Sequence, residues 1–188
     1  MTPRVRTERL LLREWREADK LPYSLLNADP EVMRHFPSTL TRVQSDEMVE
    51  RMAAAWELRG FGLWAVERVD AAQLVGFVGL SQPSWTTDFT PCVEVGWRLA
   101  KQHWGHGFAP EAAAAALAFG FEHMELPGDE ILSFTTTLNL KSQRVMQKIG
   151  MHLDPAREFD HPLLPGWDER RHVVYAIDRA TWSAGVAR

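Results

Sequence analysis

Hydrophobic positions recur along the chain with two periods, and each predicts a different element. RLLLREW, residues 9–15, is a short apolar run between charges and predicts a first strand. From Glu17 to Asn27 apolar residues fall at Ala18, Leu21, Leu25 and Leu26, a helical spacing, and after Asp29-Pro30 a short turn of helix is expected up to HFP at 35–37. Thr41 opens TRVQSDEMVERMAAAWELRG, in which Val43, Met48, Met52, Ala55 and Trp56 stand about three and four apart and Gly60 supplies the stop. FGLWAVER (61–68) and QLVGFVGL (73–80) predict a hairpin around VDAA, and SQPSWTTDFTP (81–91) predicts a loop. CVEVGWRL (92–99) alternates strictly: Val93, Val95, Trp97 and Leu99 face one way, and Cys92, Glu94, Gly96 and Arg98 the other. A helix from about Ala109 to His123, a strand over 130–137, a helix over NLKSQRVMQKIG stopped by Gly150, and two final strands in MHLDPAREFD and RRHVVYAID complete the pattern.

This order implies an α/β chain with a mixed sheet and helices packed on it. The unit made of strand 92–99, helix and strand 130–137 should be a right-handed parallel crossover.

Composition narrows the function. At 188 residues and 45% hydrophobic content, the chain is expected to form a single domain over 1–188. Its net charge is -4 and its 21 Lys and Arg are scattered, so no nucleic-acid footprint is expected, although a local basic patch could hold a small polyanion. The single cysteine, Cys92, excludes an intramolecular disulfide and a multi-cysteine metal site, which suits a cytoplasmic location. No apolar run approaches the length of a membrane span.

The densest chemistry lies in QHWGHGFAPEAAAAALAFGF, 102–121. A helix N-terminus presents unpaired N–H groups and a partial positive charge, an anion site when side chains do not crowd it, and Gly105 and Gly107 remove that crowding. Lys101, His103 and His106 add cationic character. A Walker loop would need a Gly-Lys-Ser/Thr ending, and a dinucleotide turn a third glycine where Pro110 stands; neither fits. The remaining alternative is a capping turn whose glycines serve packing alone.

The pattern Gln102-x-x-Gly105-x-Gly107 before a helix resembles the acyl-CoA pyrophosphate loop of the GNAT superfamily of N-acetyltransferases. EVGWRLAKQHWGHGFAPEA (94–112), Asn139-x-x-Ser142-x-x-Val145 through Met151, TERLLLREW and VVYAIDRATW together resemble its ribosomal-protein N-terminal acetyltransferase (RimJ/RimL-type) branch, in order from about residue 7 to 182. The resemblance implies a GNAT fold of about seven strands and about four helices, and acetyl-CoA as donor. It implies that Gln102, His103, Trp104 and the backbone from Gly105 through His106, Gly107 and Phe108 to Ala109 hold the pyrophosphate. It further implies that the strand at Val95 pairs with pantetheine, that Asn139 lies along the cofactor arm, and that Ser142 hydrogen-bonds the sulfur. The acceptor would be a primary amine, a protein N-terminus or a small molecule, and the assembly a monomer or homodimer.

Amine acylation by a thioester needs a neutral amine, a polarised carbonyl and a stabilised sulfur leaving group. Glu94 is the candidate base; its structural alternative is a carboxylate paired with a neighbouring arginine. An α-amine titrating at about 7.7–8.0 is partly neutral already, whereas lysine at about 10.4 costs roughly 4 kcal/mol to deprotonate near neutral pH, so a weakly basic amine is favoured. The tyrosine many relatives carry seven residues after the asparagine is replaced by Met146, which leaves Ser142 as the sulfur's donor or, alternatively, as a helix cap. His103 and His106 lack further ligands at metal spacing, so no metal is expected. His35 and Phe36, with Trp85 and Trp167 in loops, are candidate acceptor contacts, and Cys92 is expected to be a small buried hydrophobe. A succinyl donor, or a non-catalytic acyl-CoA sensor of the same fold, would use the same residues.

Overall fold

The computed structural model describes residues 2–186. The strands are β1 (Val5–Arg6), β2 (Leu10–Arg13), β3 (Leu63–Arg68), β4 (Gln73–Ser81), β5 (Glu94–Leu99), β6 (Glu130–Thr136), β7 (His152–Leu153), β8 (Phe159–Asp160) and β9 (Arg171–Asp178). The α-helices are α1 (Lys20–Ala28), α2 (Arg42–Arg59), α3 (Phe108–His123), α4 (Leu140–Lys148) and α5 (Arg179–Val186). The sheet order is β1-β2-β3-β4-β5-β6-β9-β7, with β8 also on β9; β1 to β4 pair antiparallel in turn, as do β6, β7 and β8 with β9, whereas β5 and β6 pair in parallel. The expected parallel crossover is thus present. The extra strands beyond seven are two-residue pieces, and the fifth helix, α5, continues from β9.

The chain forms two compact units, Met1–Leu80 with Gly96–Ala116, and Ser81–Val95 with Leu117–Arg188. In the first, β1 to β4 form an antiparallel meander. The Val75 carbonyl of β4 accepts from Ala100 N at 2.9 Å, and a Cβ on Gly76 would stand 2.1 Å from Arg98 O, so only glycine permits this backbone approach. Tyr23, Leu26, Val32, Val49, Met52 and Phe77 form a buried cluster.

Helix α2 starts and stops where local chemistry directs. The Thr41 hydroxyl accepts from Gln44 N at 3.3 Å, the Gln44 side chain accepts from Thr41 N at 2.9 Å, and Gly60 closes the helix at φ +74°. Its buried face is Ser45, Val49, Met52 and Trp56, whereas Val43 is exposed. Helix α1 differs from expectation more sharply: Tyr23, Ser24, Leu26 and Asn27 are buried, and Leu21 and Leu25 are 56% and 65% exposed. The cause is polar. Asp19, just before α1, is paired with buried Arg13, and Asn27 Nδ2 donates to Ser45 Oγ at 2.8 Å, so the helix is rotated to bury these partners together. The short helix expected after Pro30 is a series of turns.

In the second unit β9 pairs along its length with β6, from Glu130↔Asp178 to Thr136↔His172, and also carries β7 and β8. The expected strand MHLDPAREFD is split into those two pieces by a 3-10 turn at Pro155–Arg157. Cys92, Leu132, Phe159, Val174 and Ala176 form its buried cluster, with Trp85, Phe89 and Phe134 against it.

Candidate active site

In the second unit Glu94 opens β5 and pairs across to Leu132, whose amide donates to Val93 O at 2.9 Å. Further along, Val95 O accepts from Ser133 Oγ at 2.8 Å. Glu94 has no arginine partner among the described residues. Among those residues its hydrogen-bond partner is the Ser81 hydroxyl, which donates to Oε2 at 3.3 Å. Burial pushes the Glu94 carboxyl up to about 8, and the Ser81 bond offsets only part of this. A carboxylate left without a counter-cation is poised near the pKa of an amine, as a general base requires.

Cys92 is buried as expected, and burial with the nearby Glu94 charge pushes its thiol up to about 12, far from a thiolate. Ser142 is not a cap. Asn139 is the N-cap of α4, its Oδ1 accepting from Ser142 N at 3.2 Å while its Nδ2 donates to Thr135 Oγ1 at 3.0 Å. Trp85 sits edge-on to Phe89 and Phe134, with ring centroids 6.1 and 5.3 Å away, and Trp167 lies 6.3 Å from His172.

In the first unit Gly105 and Gly107 adopt φ +79° and +80°, the left-handed region that favours glycine, and α3 begins at Phe108 directly behind them. A Cβ on Gly105 would meet no atom within 4 Å, so the turn presents an uncrowded backbone. The turn is braced from the start of β2. Arg9 Nη1 donates to His106 O at 2.9 Å and Arg9 Nε to Glu111 Oε2 at 2.7 Å, while Thr7 Oγ1 donates to Glu111 Oε1 at 2.6 Å. Arg9 Cζ also lies 4.9 Å over the Phe108 ring.

Gln102 and His106 are exposed, with His106 stacked on Phe108 at 5.6 Å, and Trp104 donates to Leu99 O at 2.8 Å. His103 departs from the cationic character expected of it. It is buried, and burial, with the Arg68 charge next, lowers its pKa and so disfavours the charged ring. His35 is half-buried, and Phe36 stands over Arg98 in the same unit.

Sequence reasoning missed Ser81, Ser133, Arg9 and Thr7, because each acts on a residue distant in the chain. Glu111 alone carried a local signal, an acid in the first turn of a helix. No group of three or more potential metal ligands stands together among the described residues, and no helix there is long and apolar enough to cross a membrane.

The profile of the acetyltransferase (GNAT) domain matches residues 9–152. The uncharacterized protein YkkB of Bacillus subtilis (strain 168) is 30% identical over 159 residues, covering 84% of this chain and 90% of its own length. The FsC-acetyl coenzyme A-N(2)-transacetylase of Aspergillus fumigatus is 31% identical over 172 residues, covering 84% of this chain and 68% of its own. Among solved structures, the acetyltransferase from Agrobacterium tumefaciens str. C58 superposes with a TM-score of 0.77 at 27% identity, over 94% of this chain and 95% of its own.

Proposed function

Because the chain belongs to the GNAT acetyltransferase family and is a transferase, we propose that it moves an acetyl group from acetyl-CoA to a weakly basic primary amine by direct attack, with Glu94 as base. The observation that carries the base assignment is the isolated Glu94 carboxyl, raised to about 8 and held by a single hydroxyl. A proton passes from an α-ammonium at about 8 to such a carboxylate with little uphill cost, whereas from a lysine ammonium at about 10.4 the transfer is uphill by roughly 3 kcal/mol. An N-terminal or similarly weak amine is therefore the favoured acceptor, in keeping with the ribosomal-protein N-terminal branch that the sequence resembles.

The open left-handed turn at Gly105 and Gly107 fits a pyrophosphate, since its backbone is uncrowded and stands before α3. Arg9 and Glu111 hold that turn in shape, and Arg9 supports it with positive charge. Acetyl-CoA when bound supplies the activated thioester. The Val95 carbonyl, although it already accepts from Ser133, keeps a second lone pair for pantetheine. Asn139 fixes the start of α4, which leaves the Ser142 hydroxyl available to donate to the leaving sulfur.

The test is thiol release from acetyl-CoA against N-terminal peptides, lysine peptides, polyamines and aminoglycosides, with Glu94→Gln alongside. Amine-dependent release that Glu94→Gln reduces by about 10²- to 10⁴-fold is expected, with retained acetyl-CoA affinity. Unchanged turnover in that variant would overturn the base assignment.

A further inference from the structure

Two arginines of the first unit are withdrawn from water, and their surroundings are opposite. Arg13, 2% exposed, forms a bidentate pair with Asp19 at 2.7 and 2.8 Å and a second pair with Glu67 at 2.7 Å. Arg98, on β5 and 8% exposed, makes no ion pair among the described residues. Its Nη1 donates to Asn27 Oδ1 at 2.7 Å and lies 3.9 Å from Met48 Sδ, and its Nε is buried without a hydrogen-bond partner. The Phe36 ring lies 4.1 Å over Cζ and Phe77 at 5.6 Å, and the Tyr23 hydroxyl borders the group. Each of these neighbours is neutral.

A guanidinium does not shed its proton at physiological pH, so burial cannot discharge Arg98 as it discharges a histidine. Ring faces offset part of the desolvation, but less than a carboxylate would. Asn27 is itself oriented: its Nδ2 donates to Ser45 Oγ at 2.8 Å, which turns Oδ1 toward Arg98. Asn27 and the Tyr23 hydroxyl thus border the guanidinium, and its buried Nε is left without a partner. Asn27, Tyr23 and Phe77 are buried, whereas Phe36, on the irregular segment between α1 and α2, is 37% exposed and forms the solvent-side wall.

We propose that Arg98 anchors a carboxylate subsite roofed by Phe36. One buried positive charge among neutral groups is matched by one negative charge; a phosphate dianion would leave a net charge buried, so a monoanionic carboxylate is the fitting ligand. The planar guanidinium edge suits its two oxygens. The carboxylate is either part of the acceptor amine, which rests on the acyl-transfer function proposed above, or a separate small acid.

Calorimetric titration of N-acetylglycine and its neutral amide, N-acetylglycinamide, into wild type, Arg98→Met and Arg98→Lys tests this without turnover. Wild type should bind the acid at least about tenfold more tightly than the amide, and Arg98→Met should lose about ten- to hundredfold in affinity for the acid alone. Arg98→Lys, which keeps the charge without the fork, should fall between them. Arg98→Met should also unfold at or above the wild-type temperature, because it removes an unneutralised buried charge. Equal binding of acid and amide by wild type, or discrimination that survives in Arg98→Met, overturns the proposal; the wild-type comparison decides even if a variant folds poorly. The source is read from KM for glycine against glycinamide as acceptors: a rise for glycine alone in Arg98→Met assigns the carboxylate to the acceptor, and unchanged KM values in a variant that has lost acid binding assign it to a separate ligand. Absence of transfer to any amine would count against the acyl-transfer function while the calorimetric result still stood.

Discussion

Glu94→Gln separates an electrostatic consequence of the fold from any assumption about substrate. The carboxyl is raised from an ordinary value of 4.5 to about 8, chiefly by burial. Between these values the native state binds a proton that the unfolded chain has released. Its stabilising contribution is therefore complete below about 4.5, declines as pH rises, and is lost once pH has passed about 8. Integrated from pH 6 to pH 9, wild type should lose about 2 to 3 kcal/mol relative to Glu94→Gln, whose amide does not titrate. For a chain of this length that corresponds to roughly 4–10 °C in Tm. The assay is thermal unfolding of both proteins without ligand at pH 6 and pH 9, comparing the difference between them at each pH, so that groups common to both cancel. A difference that stays constant within about 1 °C would refute the raised carboxyl and, with it, the match between base and amine.

The same group sets kinetics: kcat/KM should rise about tenfold per pH unit below about 8 and level above it for an acceptor already neutral there, and a profile flat from pH 6 to 9 would contradict this. Gly107→Val places a β-branched residue at φ +80° with its Cβ 3.3 Å from Arg9 Nη2, so acetyl-CoA affinity measured by calorimetry should drop at least about tenfold. Glu111→Gln removes the charge that Arg9 grips and should raise KM for acetyl-CoA several-fold with a smaller effect on kcat, a split visible in steady-state kinetics. Asn139→Ala deletes the cap of α4 and should cost about 1 kcal/mol in denaturant unfolding.

What could be read directly were the features that a few neighbouring residues decide. Thr41, Gln44 and Gly60 bound α2 through contacts within its own end turns. Gly105 and Gly107 take the left-handed backbone that their missing Cβ permits, and the β5-α3-β6 crossover is parallel as its order implied. Cys92 is buried as expected, although it precedes β5 and Val93 beside it is buried too. The predicted stripes failed where a distant polar partner outweighed local hydrophobicity. In α1 the leucines at 21 and 25 carry the helical spacing, yet Asn27 is buried to reach Ser45 and Arg98, 18 and 71 positions away.

The sequence by itself determined most of the long elements, their order, the open turn before α3 and the family resemblance, because backbone preference and short-range periodicity act over a few residues. Only the tertiary structure decided the state of Glu94, which depends on how deeply its carboxyl is buried and on Ser81; the brace from Arg9 to Glu111, 102 positions apart; and the isolation of Arg98 from any carboxylate. Those properties are sums over neighbours in space, and a charge is stabilised or stranded by what surrounds it rather than by what precedes it in the chain.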